Sequence, residues 1–117
     1  HIFPFENGGE EVGVTISHPH GQIYAYSFIP PRIDRMLSTA QAHLEKTGRV
    51  LLDDVIAREI NDERRVIAKN SEWIAFVPYA ARYPFEIHVA PLRGVSHMSQ
   101  LDEKQSESFA PIAKEVL

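Results

Sequence analysis

Two histidines separated by a single proline lie in the segment HPHGQ, residues 18–22, and could carry nucleophilic chemistry. On an extended chain, residues i and i+2 project to the same side, roughly 6–7 Å apart. A neutral imidazole can attack phosphorus near pH 7, and it is also a good leaving group from the resulting phosphoramidate. Gln22 follows His20 by two positions and offers an uncharged donor to a phosphate oxygen. The segment is therefore suited to a two-step transfer of a nucleotidyl group.

Two other interpretations of the same residues stay open on the motif alone. His18 and His20 could be surface histidines in a proline turn, or a metal-binding pair. The rest of the composition narrows the choice of chemistry. The chain has no cysteine, which excludes disulfides, a thiolate nucleophile and any zinc site built from Cys within these residues.

The bulk properties indicate one globular domain. The 117 residues are 44% hydrophobic and 24% charged, which is ordinary for a folded soluble domain. The net charge of −4 lacks the basic excess that follows a nucleic-acid backbone, so we expect no nucleic-acid partner. No apolar run reaches the roughly 20 residues of a membrane helix, so we expect no membrane association and a cytoplasmic location.

The elements that must position the motif are two strands, one before it and one after it. Val12, Val14 and Ile16 alternate with small or polar residues, which predicts a strand over 12–16. A β-rich run over 23–29 ends at Pro30-Pro31. Residues 1–11 are expected to form a loop or a short strand that ends in the turn signal at 6–9. The motif therefore lies on a strand–turn–strand unit and not on a helix.

The remaining elements predict an α+β fold, with an antiparallel sheet flanked by helices in the order β-β-α-α-β-β-β-α. Apolar spacing predicts helices over 33–47, stopped by Gly48, and over 51–61. A hairpin is expected over 65–69 and 73–77, then a strand over 85–90 whose residues Phe85, Ile87 and Val89 share a face. A last helix follows Leu101, with Asp102 as its cap and Pro111 expected to kink or break it. The strands before Pro30 are expected to pair with the hairpin or with 85–90, within one chain or across two.

Other conspicuous side chains are given structural roles. His43 on a helix and the pair Arg64-Arg65 are expected to be solvated, and His88 is expected to be structural. The three aromatic residues Trp73, Phe76 and Tyr79 are expected to lie in the core.

Two blocks of sequence carry a resemblance to a known family. The first is FEN at 5–7 with Gly9, Gly13 and HPHGQIYA at 18–25, and the second is WIAFVPYAARYPFE at 73–86. Together they resemble galactose-1-phosphate uridylyltransferases, a branch of the histidine-triad superfamily, in the family's own order. The resemblance implies a histidine-triad-like fold. Its parts are the end of an N-terminal half carrying the motif (1–31), a helical linker (32–62) and the start of a C-terminal half (63–117).

The resemblance also implies a reaction and a set of roles. Family members exchange UMP between UDP-glucose and galactose 1-phosphate by a ping-pong mechanism through a uridylylated histidine, and a homodimer is expected. His20 resembles that catalytic nucleophile, and Gln22 resembles the catalytic residue that donates to the transferred phosphoryl group. The positions that resemble the family's other phosphate contacts are Asn7, Gly13, Val14 and Thr15.

His18 resembles the family's first histidine, which is a zinc ligand in many members. The other zinc ligands lie upstream of the motif in the family, so we expect no tightly bound zinc in residues 1–117. Met36 falls where a second metal site would need an acid, and Gly8 replaces a frequent Lys or Arg. No second metal is expected.

Two alternatives to a transferase are kept. Related nucleotide hydrolases and phosphorylases usually carry three alternating histidines, and Gln22 at the third position favours transfer. The chain could also be an inactive structural fragment of the transferase, because the family's active site draws on residues outside the resemblance. We expect residues 1–117 not to be a competent transferase by themselves.

Overall fold

A computed structural model describes residues 1–7 and 20–117, and within them the predicted α+β class is confirmed. From the second strand onwards, the order of the described elements is also the predicted one. The strands and helices are β1 (Ile2–Asn7), β2 (His20–Ala25), α1 (Pro31–Thr47), α2 (Leu51–Asp62), β3 (Val66–Lys69), β4 (Trp73–Phe76), β5 (His88–Pro91) and α3 (Glu103–Val116). The strand predicted over 12–16 lies outside the described residues, and β1 takes the place of the expected loop or short strand.

The described strands form two antiparallel sheets, β1-β2 and β3-β4-β5. The chain divides into two compact units, His1–Gln41 and Ala42–Leu117, and each sheet belongs to one unit. Within one chain, the expected pairing of the strand over 23–29 with 65–77 or 85–90 is therefore wrong, since β2 pairs with β1 and the other sheet consists of β3, β4 and β5. Pairing across two chains stays a prediction. Closing the short connection between neighbouring strands costs less chain entropy than a long-range pairing. The predicted boundaries at 31 and 62 stay a prediction.

The core of the second unit is built around β4, whose four residues are all buried. Ile74 and Phe76 point to one side of the sheet and pack with Ile56 of α2 and with Ala90. The alternate residues of β4 meet Ile112 of α3 on the other side. Helices thus cover both faces of this sheet, which explains why β4 has a continuous apolar sequence and no polar face.

The helix ends follow local signals that the sequence carries. Gly48 adopts φ 69°, the left-handed geometry that stops α1, and its N–H donates to the carbonyl of Leu44. Asp102 caps α3 by accepting from the N–H of Gln105 in a capping box, as predicted. The expected break at Pro111 is wrong, because α3 continues through it to Val116, and the alternative of a kink stays a prediction. Among the described helices, none combines the length and apolar composition that a membrane crossing requires.

The strand predicted over 85–90 begins later, at His88. The Glu86 carboxylate accepts from the N–H groups of Arg82 and Tyr83 at 2.6 and 3.3 Å, so the chain turns over these residues and is not extended. Phe85 lies at φ 61° and is 97% exposed, whereas Ile87 and Val89 pack against the α3 side of the sheet. The predicted common face therefore holds for Ile87 and Val89 only.

Of the aromatic residues placed in the core, Trp73 and Phe76 are buried but Tyr79 is exposed. Tyr79 follows the end of β4, and the guanidinium of Arg65 lies 5.5 Å from its ring centroid. The prediction that Arg65 is solvated is wrong. Its guanidinium donates twice to the buried carboxylate of Glu59, at 2.9 and 3.1 Å. A buried carboxylate requires such a partner, and Arg65 lies six residues after Glu59, in the segment between α2 and β3.

His43 is likewise not the solvated residue that its helical position predicts. Its Nε2 donates to the Asp54 carboxylate at 2.7 Å, which joins the end of α1 to α2 within the second unit. Arg49 Nε donates to the same carboxylate at 3.1 Å. The hydrogen bond from His43, followed by the charge of Arg49, holds the pKa of Asp54 below its usual range.

The hydrogen bond between His43 and Asp54 makes the free energy of unfolding depend on pH in a defined direction. A lowered carboxylate pKa stabilises the fold above the ordinary Asp range, and this contribution is lost as pH falls through the folded-state value. We expect His43→Ala to raise the Asp54 pKa, as measured by NMR titration of its carboxyl carbon. The exposed neighbour Leu44, changed to Ala, is the control. An Asp54 pKa that is equal in both variants would contradict the assignment.

Candidate active site

The register of the β1-β2 ladder places three of the predicted site positions together. The two strands are antiparallel, with Asn7 opposite His20 and Phe5 opposite Gln22. Positions that face each other across a ladder, and positions two apart along a strand, belong to the same face of the sheet. Asn7 and His20 are ladder partners at the end of the hairpin that leads into residues 8–19, and Gln22 follows His20 by two positions.

The other predicted positions cannot be placed. Gly13, Val14, Thr15 and His18 lie outside the described residues, within the connection from Asn7 to His20. Of the placed positions, Gln22 is exposed, as a residue that donates to a ligand must be. The catalytic and substrate-binding roles inferred from the sequence stay predictions.

An aromatic row on the same face as Gln22 was not found by sequence reasoning. Phe5 stands opposite Gln22, and Phe3 stands opposite Tyr24, so all of these residues share one face of the sheet. The rings of Phe5 and Tyr24 meet edge to face, with centroids 4.7 Å apart and planes at 68°. The alternation of aromatic residues along β1 could have indicated this row only if β2 had been recognised as the ladder partner of β1.

Histidines elsewhere in the described chain are engaged in local contacts. His88 Nε2 donates to Glu86 at 3.1 Å, and His97 Nδ1 lies 2.8 Å from the hydroxyl of Ser99. The backbone N–H of Arg82, followed by the side-chain hydrogen bond from His88, lowers the pKa of Glu86. The structural role expected of His88 stays a prediction.

The donor set for a metal is incomplete in the described part of the chain. Residues 1–7 and 20–117 contain no group of three or more His, Asp or Glu side chains arranged to hold an ion. His18, the ligand implied by the family resemblance, lies outside those ranges, and there is no cysteine to complete a zinc site. No catalytic step is therefore derived through zinc.

Comparison with known proteins gives matches along nearly the whole chain. A family model described as the C-terminal domain of galactose-1-phosphate uridyl transferase matches residues 36–117, and one described as the N-terminal domain matches residues 1–30. A galactose-1-phosphate uridylyltransferase from Streptomyces lividans is 44% identical over 117 residues, which cover 99% of this chain and 33% of that protein. An ADP-glucose phosphorylase from Arabidopsis thaliana is 30% identical over 117 residues, covering 100% of this chain and 32% of that protein.

A solved uridylyltransferase structure superposes with a TM-score of 0.86 at 33% identity, covering 97% of this chain and 35% of that one. The described fold is thus that of the uridylyltransferases. Because the C-terminal-domain match alone spans more than half of the residues, the chain belongs to the galactose-1-phosphate uridyl transferase family. The resemblance that the two sequence blocks indicate is confirmed. The chain spans about a third of the length of the curated relatives it matches.

Proposed function

We propose that the whole protein containing residues 1–117 transfers UMP between UDP-glucose and galactose 1-phosphate through a uridylylated His20. The observation that carries this proposal is the ladder register, which puts Asn7 directly opposite His20, with Gln22 two residues further along β2. A nucleophile needs neutral donors beside it to hold the phosphoryl oxygens during attack. Membership in the galactose-1-phosphate uridyl transferase family supports the choice of reaction.

The chemistry divides into two balanced steps. The imidazole of His20 attacks the phosphorus of the UMP moiety, an N–P bond forms, and the P–O bond to glucose 1-phosphate breaks. A phosphate oxygen of galactose 1-phosphate then attacks the same phosphorus, which forms UDP-galactose and frees the imidazole. Asn7 and Gln22 donate hydrogen bonds to the non-bridging oxygens, whose negative charge they stabilise in both transition states. The proposed phosphate contacts of Gly13, Val14 and Thr15 act in the same way.

The exchange is tested with the purified whole protein, UDP-glucose and galactose 1-phosphate. We expect UDP-galactose and glucose 1-phosphate in equal amounts, with kinetics in which the two substrates give parallel double-reciprocal lines. Intersecting lines would exclude the covalent intermediate.

A phosphorylase is the second candidate, since an ADP-glucose phosphorylase shares 30% identity with this chain. Such an enzyme would use the same nucleophile with inorganic phosphate as the acceptor. ADP-glucose with phosphate is therefore the competing assay. Turnover in this assay that exceeds the exchange of UDP-glucose would assign the protein to the phosphorylase branch.

The assembly and location proposed for the whole protein rest on the family alone. We propose a homodimer located in the cytoplasm, with His18 as the zinc ligand that this part of the chain contributes. Sedimentation of the whole protein at concentrations around its working range gives the oligomeric state directly.

Removing the side chain of Gln22 should slow the exchange without preventing the covalent step. Loss of one neutral donor to the transferred phosphoryl group lowers kcat by roughly 10²-fold. Gln22→Ala is measured beside Gln100→Ala, whose side chain accepts from the N–H of Ser96 outside the hairpin. The same kcat in both variants would remove Gln22 from the proposed site.

A further inference from the structure

Gln22 lies in a regular antiparallel ladder, in which every residue of β2 has a directly opposite partner on β1. Cross-strand side-chain pairs, both direct and diagonal, stabilise such a ladder. The position of Gln22 therefore depends on the side-chain pairs next to it.

The contact between Tyr24 and Phe5 is such a pair. Phe5 is directly opposite Gln22, and Tyr24 is two residues beyond Gln22 on the same face, so their rings meet diagonally across the ladder next to that residue. The centroids lie 4.7 Å apart with an interplanar angle of 68°, the favourable edge-to-face geometry. Phe5 is half-buried, whereas its strand neighbours Ile2 and Phe3 are exposed.

We infer that Tyr24 is a positioning residue, which acts on the transfer reaction by holding Gln22 in place through its ring contact with Phe5. This inference rests on the proposed function. Within residues 1–7 and 20–117, the ring of Tyr24 lies beside those of Phe5 and Tyr26, and of these two Phe5 stands opposite Gln22. The hydroxyl is not required for an edge-to-face contact, which separates the role of the ring from that of the phenol.

The test is a double-mutant cycle on kcat of the whole protein. Tyr24→Ala should lower kcat by about tenfold, with KM for UDP-glucose changed less than about twofold, because the donor is displaced and not removed. In a Gln22→Ala background the same change should lower kcat by less than about twofold, since the residue through which it acts is gone. Tyr24→Phe should restore kcat to the wild-type value.

The matched control is Tyr26→Ala, which removes the same side chain one step further from Gln22. The Tyr26 ring lies 6.1 Å from that of Tyr24 and contacts Phe28, so kcat should stay within about twofold of wild type. An equal fall of kcat for Tyr24→Ala in both backgrounds would overturn the inference, since it would indicate a general structural role. If Tyr24→Ala does not fold, Tyr24→Leu replaces it in the same cycle.

A second readout separates this inference from the proposed reaction. An inactive wild-type protein would overturn the proposed function, and the position of Gln22 is then measured by NMR. Cross-strand NOEs between residues 5 and 22 should weaken in Tyr24→Ala and persist in Tyr26→Ala. NOEs that are unchanged in Tyr24→Ala would overturn the positioning role whether or not the protein transfers UMP.

Discussion

His20→Ala should abolish the exchange of UMP between UDP-glucose and galactose 1-phosphate in the whole protein. The imidazole forms and then breaks the bond to phosphorus, so its loss removes both half-reactions and not one stabilising contact. We expect kcat to fall by at least about 10⁴-fold. Rapid quench with UDP-glucose labelled in the uridylyl group should trap the label on His20 of the wild-type protein and leave the variant unlabelled.

The control for this experiment is His97→Ala, which removes an imidazole that is hydrogen-bonded to the Ser99 hydroxyl in the second unit. Its labelling and exchange should match those of the wild type. Covalent label that is retained on the His20→Ala protein would assign the nucleophile to another residue.

Phe76→Ala should destabilise the second unit strongly. Phe76 is 1% exposed at the end of β4 and packs with Ile56 and Ala90, so truncation leaves a cavity in the core. Phe-to-Ala changes at such sites cost about 3–5 kcal/mol. Urea unfolding followed by circular dichroism, with the change in midpoint multiplied by a common m-value, measures the loss.

Phe85→Ala is the same chemical change at a residue that is 97% exposed. Its free energy of unfolding should stay within about 0.5 kcal/mol of the wild-type value. A loss below about 1 kcal/mol for Phe76→Ala would show that the core around β4 is not packed as described.

Local signals account for the parts of the fold that the sequence predicts well. The helices over 31–47 and 51–62 follow the apolar spacing, and their ends follow residues whose conformational preference is intrinsic, such as Gly48. The cap at Asp102 depends on residues three apart in the chain, so the sequence alone contains it. The hairpin of β3 and β4 is predicted for the same reason, because a short turn joins its strands.

Prediction is wrong where a residue's environment is supplied by another element of the structure. The polar types of His43 and Arg65 suggest solvent, but each is bound by a carboxylate on a neighbouring element. Tyr79 is an aromatic residue, which suggests a position in the core. However, β4 ends before it, and its side chain is exposed. Burial depends on which elements pack together, and periodicity within one element does not specify that.

The candidate site divides in the same way. The residue types of His20 and Gln22 and their i, i+2 spacing are properties of the sequence. On any extended backbone, this spacing puts a nucleophile and a neutral donor on the same side of the strand. The placement of Asn7 beside His20, and of Phe5 and Tyr24 beside Gln22, is decided by the tertiary structure. The physical reason is that ladder register is a long-range property: it is set by side-chain pairs between strands that are separated by residues 8–19, and neither strand carries the identity of its partner.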